Sequence, residues 1–169
     1  DINTFEVLKT GILPNIGTTK VHGNMCSFGS EVLEGSSIPL LYVSHWDGDK
    51  GVVVYSISSD DLTATQVQKI IPSEKLKSSS TFGVGNTDFT VDAENGFLYS
   101  VCYKENRYTE GESNKTCICK FLLPKASQDS TVILSPHDII ESFEVENIAT
   151  RQDACIKNGI MYISNGYMN

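Results

Sequence analysis

Apolar and polar residues alternate in short runs along most of this chain, and the runs are too brief for helices. Residues 4–8, 40–44, 51–57, 65–71, 97–101, 117–123 and 160–164 are rich in β-prone side chains, with Gly, Asn, Asp, Ser or Pro between most of them. Such residues fit a pleated, half-buried surface, so each run predicts a strand. Helical signals are scarce. Ser135-Pro136-His137-Asp138, followed by Ile139, Ile140 and Phe143, has the Ser cap and early Pro of a helix start. The same stretch also reads as a strand over 140–145, and periodicity does not separate the two over so short a run. The expectation is a strand with a turn ahead of it.

The runs repeat. Cys26-Ser27-Phe28 leads to Pro39-Leu40-Leu41-Tyr42, Phe89-Thr90-Val91 to Gly96-Phe97-Leu98-Tyr99, and Ala154-Cys155-Ile156 to Gly159-Ile160-Met161-Tyr162. Tyr42, Tyr99 and Tyr162 are 57 and 63 residues apart. In the first two copies a third strand (52–57, 117–123) and a fourth (65–71, 140–145) follow. Four strands per repeated unit is the pattern of β-propeller blades, here with longer loops than the ~40–45-residue WD40 unit. Residues 5–7 and 11–14 resemble 66–68 and 69–72, so the chain opens with a fourth, outer strand that has no blade of its own.

The expected architecture is therefore all-β: a β-propeller of four-stranded blades, with this chain an incomplete part of the ring. Residues 1–19 would be a closing outer strand, 20–80 a first blade, 81–147 a second and 148–169 the start of a third. The remainder of the propeller after Asn169, or a partner chain, is expected to close the ring, because open sheet edges invite association. Leu41, Val43, Val54, Leu98, Val101, Met161 and Ile163 are the expected core, with Tyr42, Tyr99 and Tyr162 in matching environments. A self-contained β-sandwich, whose hairpins would mimic a weak repeat, is the competing fold.

Composition narrows the function by exclusion. The 169 residues hold 13 Lys+Arg against 21 Asp+Glu, a net charge of −8, which disfavours nucleic acid and a basic membrane-surface role. No apolar run approaches the ~18 residues of a spanning helix. Residue 1 is Asp, so either a leader was removed or the numbering begins at a boundary. Five cysteines, Cys26, Cys102, Cys117, Cys119 and Cys155, read as free thiols, the buried ones acting as small hydrophobes. The alternative is one bridge from Cys102 to Cys117 or Cys119 across a hairpin.

The run His22-Gly23-Asn24-Met25-Cys26-Ser27-Phe28-Gly29, followed by Ile38-Pro39-Leu40-Leu41-Tyr42-Val43-Ser44, resembles the opening blade of uncharacterised secreted bacterial β-propeller proteins. The resemblance is best over residues 20–57 and rests elsewhere on the repeat. It implies a ring of about six or seven blades and an extracytoplasmic location, whether secreted, periplasmic or cell-surface. It carries no activity. Met25 stands where many of those proteins have an acidic residue.

In a propeller, the connections into each first strand and the loops after each second strand build one face. The repeat aligns Met25, Asp88 and Asp153, with Asn24, Thr87 and Gln152 one position earlier; His22 lies upstream and Arg151 flanks the third copy. Polar groups around a channel mouth suit a ligand or a hard cation, although short polar side chains also cap turns. The loop after residue 44 adds His45 and Trp46; a Trp is more often buried, here between blades, and the alternative is an exposed stacking platform on the channel face. Its Asp47-Gly48-Asp49 lacks the downstream Glu of a calcium loop and reads as a hairpin turn. The candidate ligand-binding residues are thus His22, Asn24, His45, Trp46, Asp88, Arg151 and Asp153.

No metal or cofactor is expected. Cys117-Ile118-Cys119 lacks a second pair at zinc spacing, and the Gly83–Asp88 stretch lacks the third Gly of a dinucleotide loop. Asn114-Lys115-Thr116 matches a glycosylation acceptor within a polar stretch, 104–115, expected to be an exposed loop; it reads as coincidence. The expected function is an extracytoplasmic binding module for a carbohydrate or protein ligand. The competing class, a channel-centred metal-assisted hydrolase or lyase, rests on fold analogy alone.

Overall fold

In the computed structural model the alternating runs become strands of an all-β chain. The structure describes residues 3–4, 6–7, 9–14, 23–45, 51–83, 87–105, 113–148 and 151–166. The first sheet is an antiparallel meander of β1 (Gly23–Phe28), β2 (Leu41–His45), β3 (Val52–Ile57) and β4 (Ala64–Pro72). After a short helix, α1 (Glu74–Lys77), the second sheet begins with β5 (Asp88–Asp92), β6 (Phe97–Tyr103) and β7 (Lys115–Leu122). The chain then crosses back: β8 (Thr131–Leu134) adds to the first sheet, parallel to β4, before β9 (Glu141–Glu146) completes the second. The hairpin of β10 (Arg151–Lys157) and β11 (Ile160–Asn165) forms a third, two-stranded sheet.

The ambiguous stretch after Ser135 is a strand, β9, preceded by a 3-10 turn at Pro136–Asp138. Asp138 accepts both the backbone N–H and the hydroxyl of Ser135, each at 2.7 Å. Two elements differ from expectation. The strand expected over 4–8 is not formed at its described residues, Thr4, Glu6 and Val7, which are exposed; Phe5 and Leu8 lie outside the described residues. Leu13 packs instead against the cluster of Val43, Val53 and Tyr55, and the second difference is β8, a strand not expected, which pairs with β4.

The repeat survives rung by rung. Ser27 faces Tyr42, Thr90 faces Tyr99 and Cys155 faces Tyr162 across their hairpins, and the next rungs pair Phe28 with Leu41, Val91 with Leu98 and Ile156 with Met161. The environments of the tyrosines nevertheless differ, contrary to expectation. Tyr42 is 2% exposed, Tyr99 half-buried and Tyr162 55% exposed. The reason is what covers each one. Tyr42 joins Leu40, Val52, Val54 and Ile70 against Phe89, Val91, Leu98 and Phe121 of the second sheet. Tyr99 is on the opposite face of that sheet, where Thr90 bonds to β10. Tyr162 is on the face of the third sheet opposite Ala154, the residue that packs on β5. For the same reason Met161 and Ile163, expected in the core, are only half-buried, as is Leu41; Val43, Val54, Leu98 and Val101 are buried.

The first strands of the three sheets, β1, β5 and β10, lie against one another without forming a ladder. Their inward backbone groups must still find partners, because a buried unpaired N–H or C=O costs as much as a lost hydrogen bond. Side-chain hydroxyls supply them. Ser44 and Ser27 accept the N–H groups of Phe89 and Val91, both at 3.1 Å, and Thr90 donates to the Ala154 carbonyl at 2.9 Å. Elsewhere, Gln68 on β4 is fully buried and donates to the carbonyls of Lys125 and Asp129, holding the turn that leads into β8. Gly83 (φ +94°) passes so close to β6 that a Cβ would lie 2.5 Å from the Tyr103 carbonyl oxygen.

No disulfide joins Cys102 to Cys117 or Cys119. Cys102 stands opposite Cys117 across β6 and β7, and both are buried with Cys119. Burial, with a smaller contribution from Glu144, pushes the Cys117 thiol up to about 11; burial likewise takes Cys119 to about 11.

Candidate functional site

Three of the seven candidate residues converge. Asp88, the first residue of β5, accepts from Asn24 Nδ2 at 2.7 Å through Oδ1 and from Arg151 Nε at 3.1 Å through Oδ2. One residue from the start of each sheet's first strand therefore meets at one point, although the repeat aligns Asp88 with Met25 and Asp153 and not with Asn24 and Arg151. The Asp88 and Arg151 side chains are 3% and 1% exposed. The Arg151 guanidinium carbon also lies over the Tyr103 ring, 3.7 Å from its centroid, a cation–π contact strengthened by exclusion of water.

Burial pushes the Asp88 carboxyl above the usual carboxylate range, although the Arg151 charge and the Asn24 and Arg151 hydrogen bonds pull it down; Asp153 adds a smaller push upward. Both Asp88 oxygens are engaged by protein donors. The cluster is thus a three-strand junction, with its charge neutralised internally, rather than a set of open ligand donors.

Asp153 sits near this junction but is exposed. Its Oδ1 accepts from the Ala154 backbone N–H at 2.8 Å, and its own N–H donates to Ser164 Oγ at 2.9 Å. His45 ends β2 opposite Gly23, half-buried, with Nε2 buried and without a hydrogen-bond partner among the described residues. Burial, and then the Lys69 charge, lowers its pKa, so its neutral form prevails at neutral pH. His22 and Trp46 lie outside the described residues. Among the described residues no group of three or more His, Cys, Asp or Glu is placed to hold a metal ion.

Sequence reasoning missed Tyr103 and Ser44, which complete the junction from β6 and β2. Neither carries a local signal. Their partners lie 48 and 45 positions away, and only the packing of one sheet on the next brings them together. The glycosylation acceptor is closed. Asn114 and Thr116 are buried, Asn114 accepting from the Glu105 N–H and Thr116 from the Ile148 N–H. Of the stretch expected to be an exposed loop, residues 106–112 lie outside the described residues.

No helix among the described residues is long and apolar enough to cross a membrane. No family model matches this chain, and neither a curated protein nor a solved structure matches it.

Proposed function

We propose that this chain contributes successive blades to a β-propeller that works as an extracytoplasmic ligand- or partner-binding module. One observation carries the reading. The first two sheets each lay the tyrosine-bearing face on the next, whereas the matching face of the third leaves Tyr162 exposed. A third face that repeats the first two in register calls for the same covering. The outer edge of β11, which no strand among the described residues pairs, with Ile160 and Tyr162 exposed, and Phe143 at 42% exposure on β9, mark where further strands would pack. These strands would come from elsewhere in the same protein or from a partner chain.

The closed Asp88 junction offers neither open ligand donors nor a free carboxylate, because both oxygens are committed to holding strands together, so the binding surface lies elsewhere on the chain. The extracytoplasmic location rests on the resemblance of residues 20–57 to secreted propellers. The test is binding of the labelled protein to arrays of neutral oligosaccharides, acidic oligosaccharides and peptides. Saturable retention on one class is expected. Retention on none of them overturns the binding-module reading.

A further inference from the structure

We propose that the cleft between the first two sheets binds a short neutral saccharide, an inference that rests on the binding-module reading and gives it a place and a ligand class. The cleft measures about 680 Å³, within the ~300–1,000 Å³ of ordinary ligand sites. It lies at the opposite end of the strands from the Asp88 junction. β1 and β5 run in the same direction, since Asn24 meets Asp88 and Ser27 meets Val91. Ser30 and Glu31 follow the end of β1, and Gly96 follows β5; all three line the cleft.

Part of the lining is apolar. Leu122 ends β7, where alternation with the buried Phe121 turns it outward, and it is 68% exposed beside Leu123 and Pro124. An exposed leucine at a strand end is ordinary; one that lines a concave site together with polar residues suits a binding surface. Ser30, Ser127 and Gln128 line the same cleft and add hydroxyl and amide side chains to it. A pyranose ring matches this combination, with C–H groups on its faces and hydroxyls at its rim that both donate and accept.

Glu31 fixes the backbone at the polar residues. Its two carboxylate oxygens accept the N–H groups of Ala126 and Ser127 at 2.9 and 3.1 Å, and each oxygen keeps a lone pair for a ligand hydroxyl. Tyr42 lines the cleft from beneath, its hydroxyl buried and without a hydrogen-bond partner among the described residues. Lys125 offsets the Glu31 charge at the same cleft. With the local charge balanced and the chain at −8, an anionic glycan gains nothing there and is repelled at long range.

The test is titration of the isotope-labelled protein with maltotriose, cellotriose, triacetylchitotriose and sialyllactose, followed by amide resonances. Saturable shifts are expected at Gly96, Leu122 and Ser127 with at least one neutral trisaccharide, and none with sialyllactose. Leu122→Ser and Gln128→Ala, both at exposed positions, should each weaken that binding at least about tenfold, a loss of about 1.4 kcal/mol. Shifts confined to the Asp153 end would overturn the cleft assignment and leave the module reading standing. Cleft binding of sialyllactose would overturn the neutral class. No shift with any trisaccharide would overturn the inference, while the peptide arrays judge the module reading separately.

Discussion

Removing the Asp88 carboxylate should destabilise the protein far more than a surface change, and removing both halves of its ion pair should cost less than the singles combined. In Asp88→Ala the buried Arg151 guanidinium keeps Tyr103 against its face but loses the carboxylate 3.1 Å away. Breaking a buried pair from one side typically costs about 3–5 kcal/mol, because a charge is left desolvated. Arg151→Met should cost a similar amount, leaving the Asp88 carboxylate with Asn24. The double variant Asp88→Leu/Arg151→Met removes both charges and fills the site with apolar atoms, which is often neutral. Its remaining cost is the hydrogen bond lost by the partly buried Asn24 amide, about 0.5–1.5 kcal/mol. Urea denaturation followed by far-UV circular dichroism reads all three. In a chain of this length each kcal/mol moves Tm by about 2–4 °C, so the single variants should melt about 6–20 °C lower. Single variants costing under about 1 kcal/mol, or a double variant as unstable as the two losses added, would refute the junction as described.

Gly83→Ala should cost at least about 2 kcal/mol in the same assay, since it combines a left-handed backbone (φ +94°) with a Cβ driven against the Tyr103 carbonyl. Under native conditions a thiol reagent at pH 8 should label the exposed Cys26 and Cys155 and spare Cys117 and Cys119 until the protein unfolds, because their thiols ionise only at about 11; mass spectrometry of peptides counts the labels. Glu31 is raised by burial, but the Ser127 hydroxyl and the N–H groups of Ala126 and Ser127 outweigh this and hold its carboxyl below the ordinary range. Its contribution is therefore complete above the ordinary glutamate pKa and is lost as pH falls through the lower folded value. Amide exchange at Ala126 and Ser127, corrected for its intrinsic pH dependence, should accelerate in that acidic window and not in Glu31→Gln.

The strands were legible because alternation is local: a run such as Val52-Val53-Val54-Tyr55 announces itself without reference to the rest of the chain. β8 was not legible. Its four residues, Thr131-Val132-Ile133-Leu134, become a strand through parallel pairing with β4, about 60 positions earlier, and a parallel partner leaves no mark on the intervening sequence. Asn24, Asp88 and Arg151, although not at equivalent positions of the repeat, could be grouped as polar residues at the starts of its first strands. Their closure into a buried junction could not, because that depends on Tyr103 and on which sheet covers which. The tyrosines show the same limit: their shared rung is written in the sequence, whereas their exposure is set by the neighbouring sheet.

β8 makes the first two sheets inseparable in a topological sense. The outermost strand of one sheet is carried in the connection between two strands of the other, anchored by Gln68 and by the Lys69 N–H bond to Ser130. Neither sheet can be excised as a module, since a cut between residues 80 and 88 leaves the leading fragment short of a strand that the trailing fragment still holds. The two fragments should for that reason recognise each other, reassembling from separate chains by returning β8 to the edge of β4. Two sheets that share one internal pattern thus form an obligate pair, and insertion or loss of a unit would be tolerated only where no strand crosses the boundary.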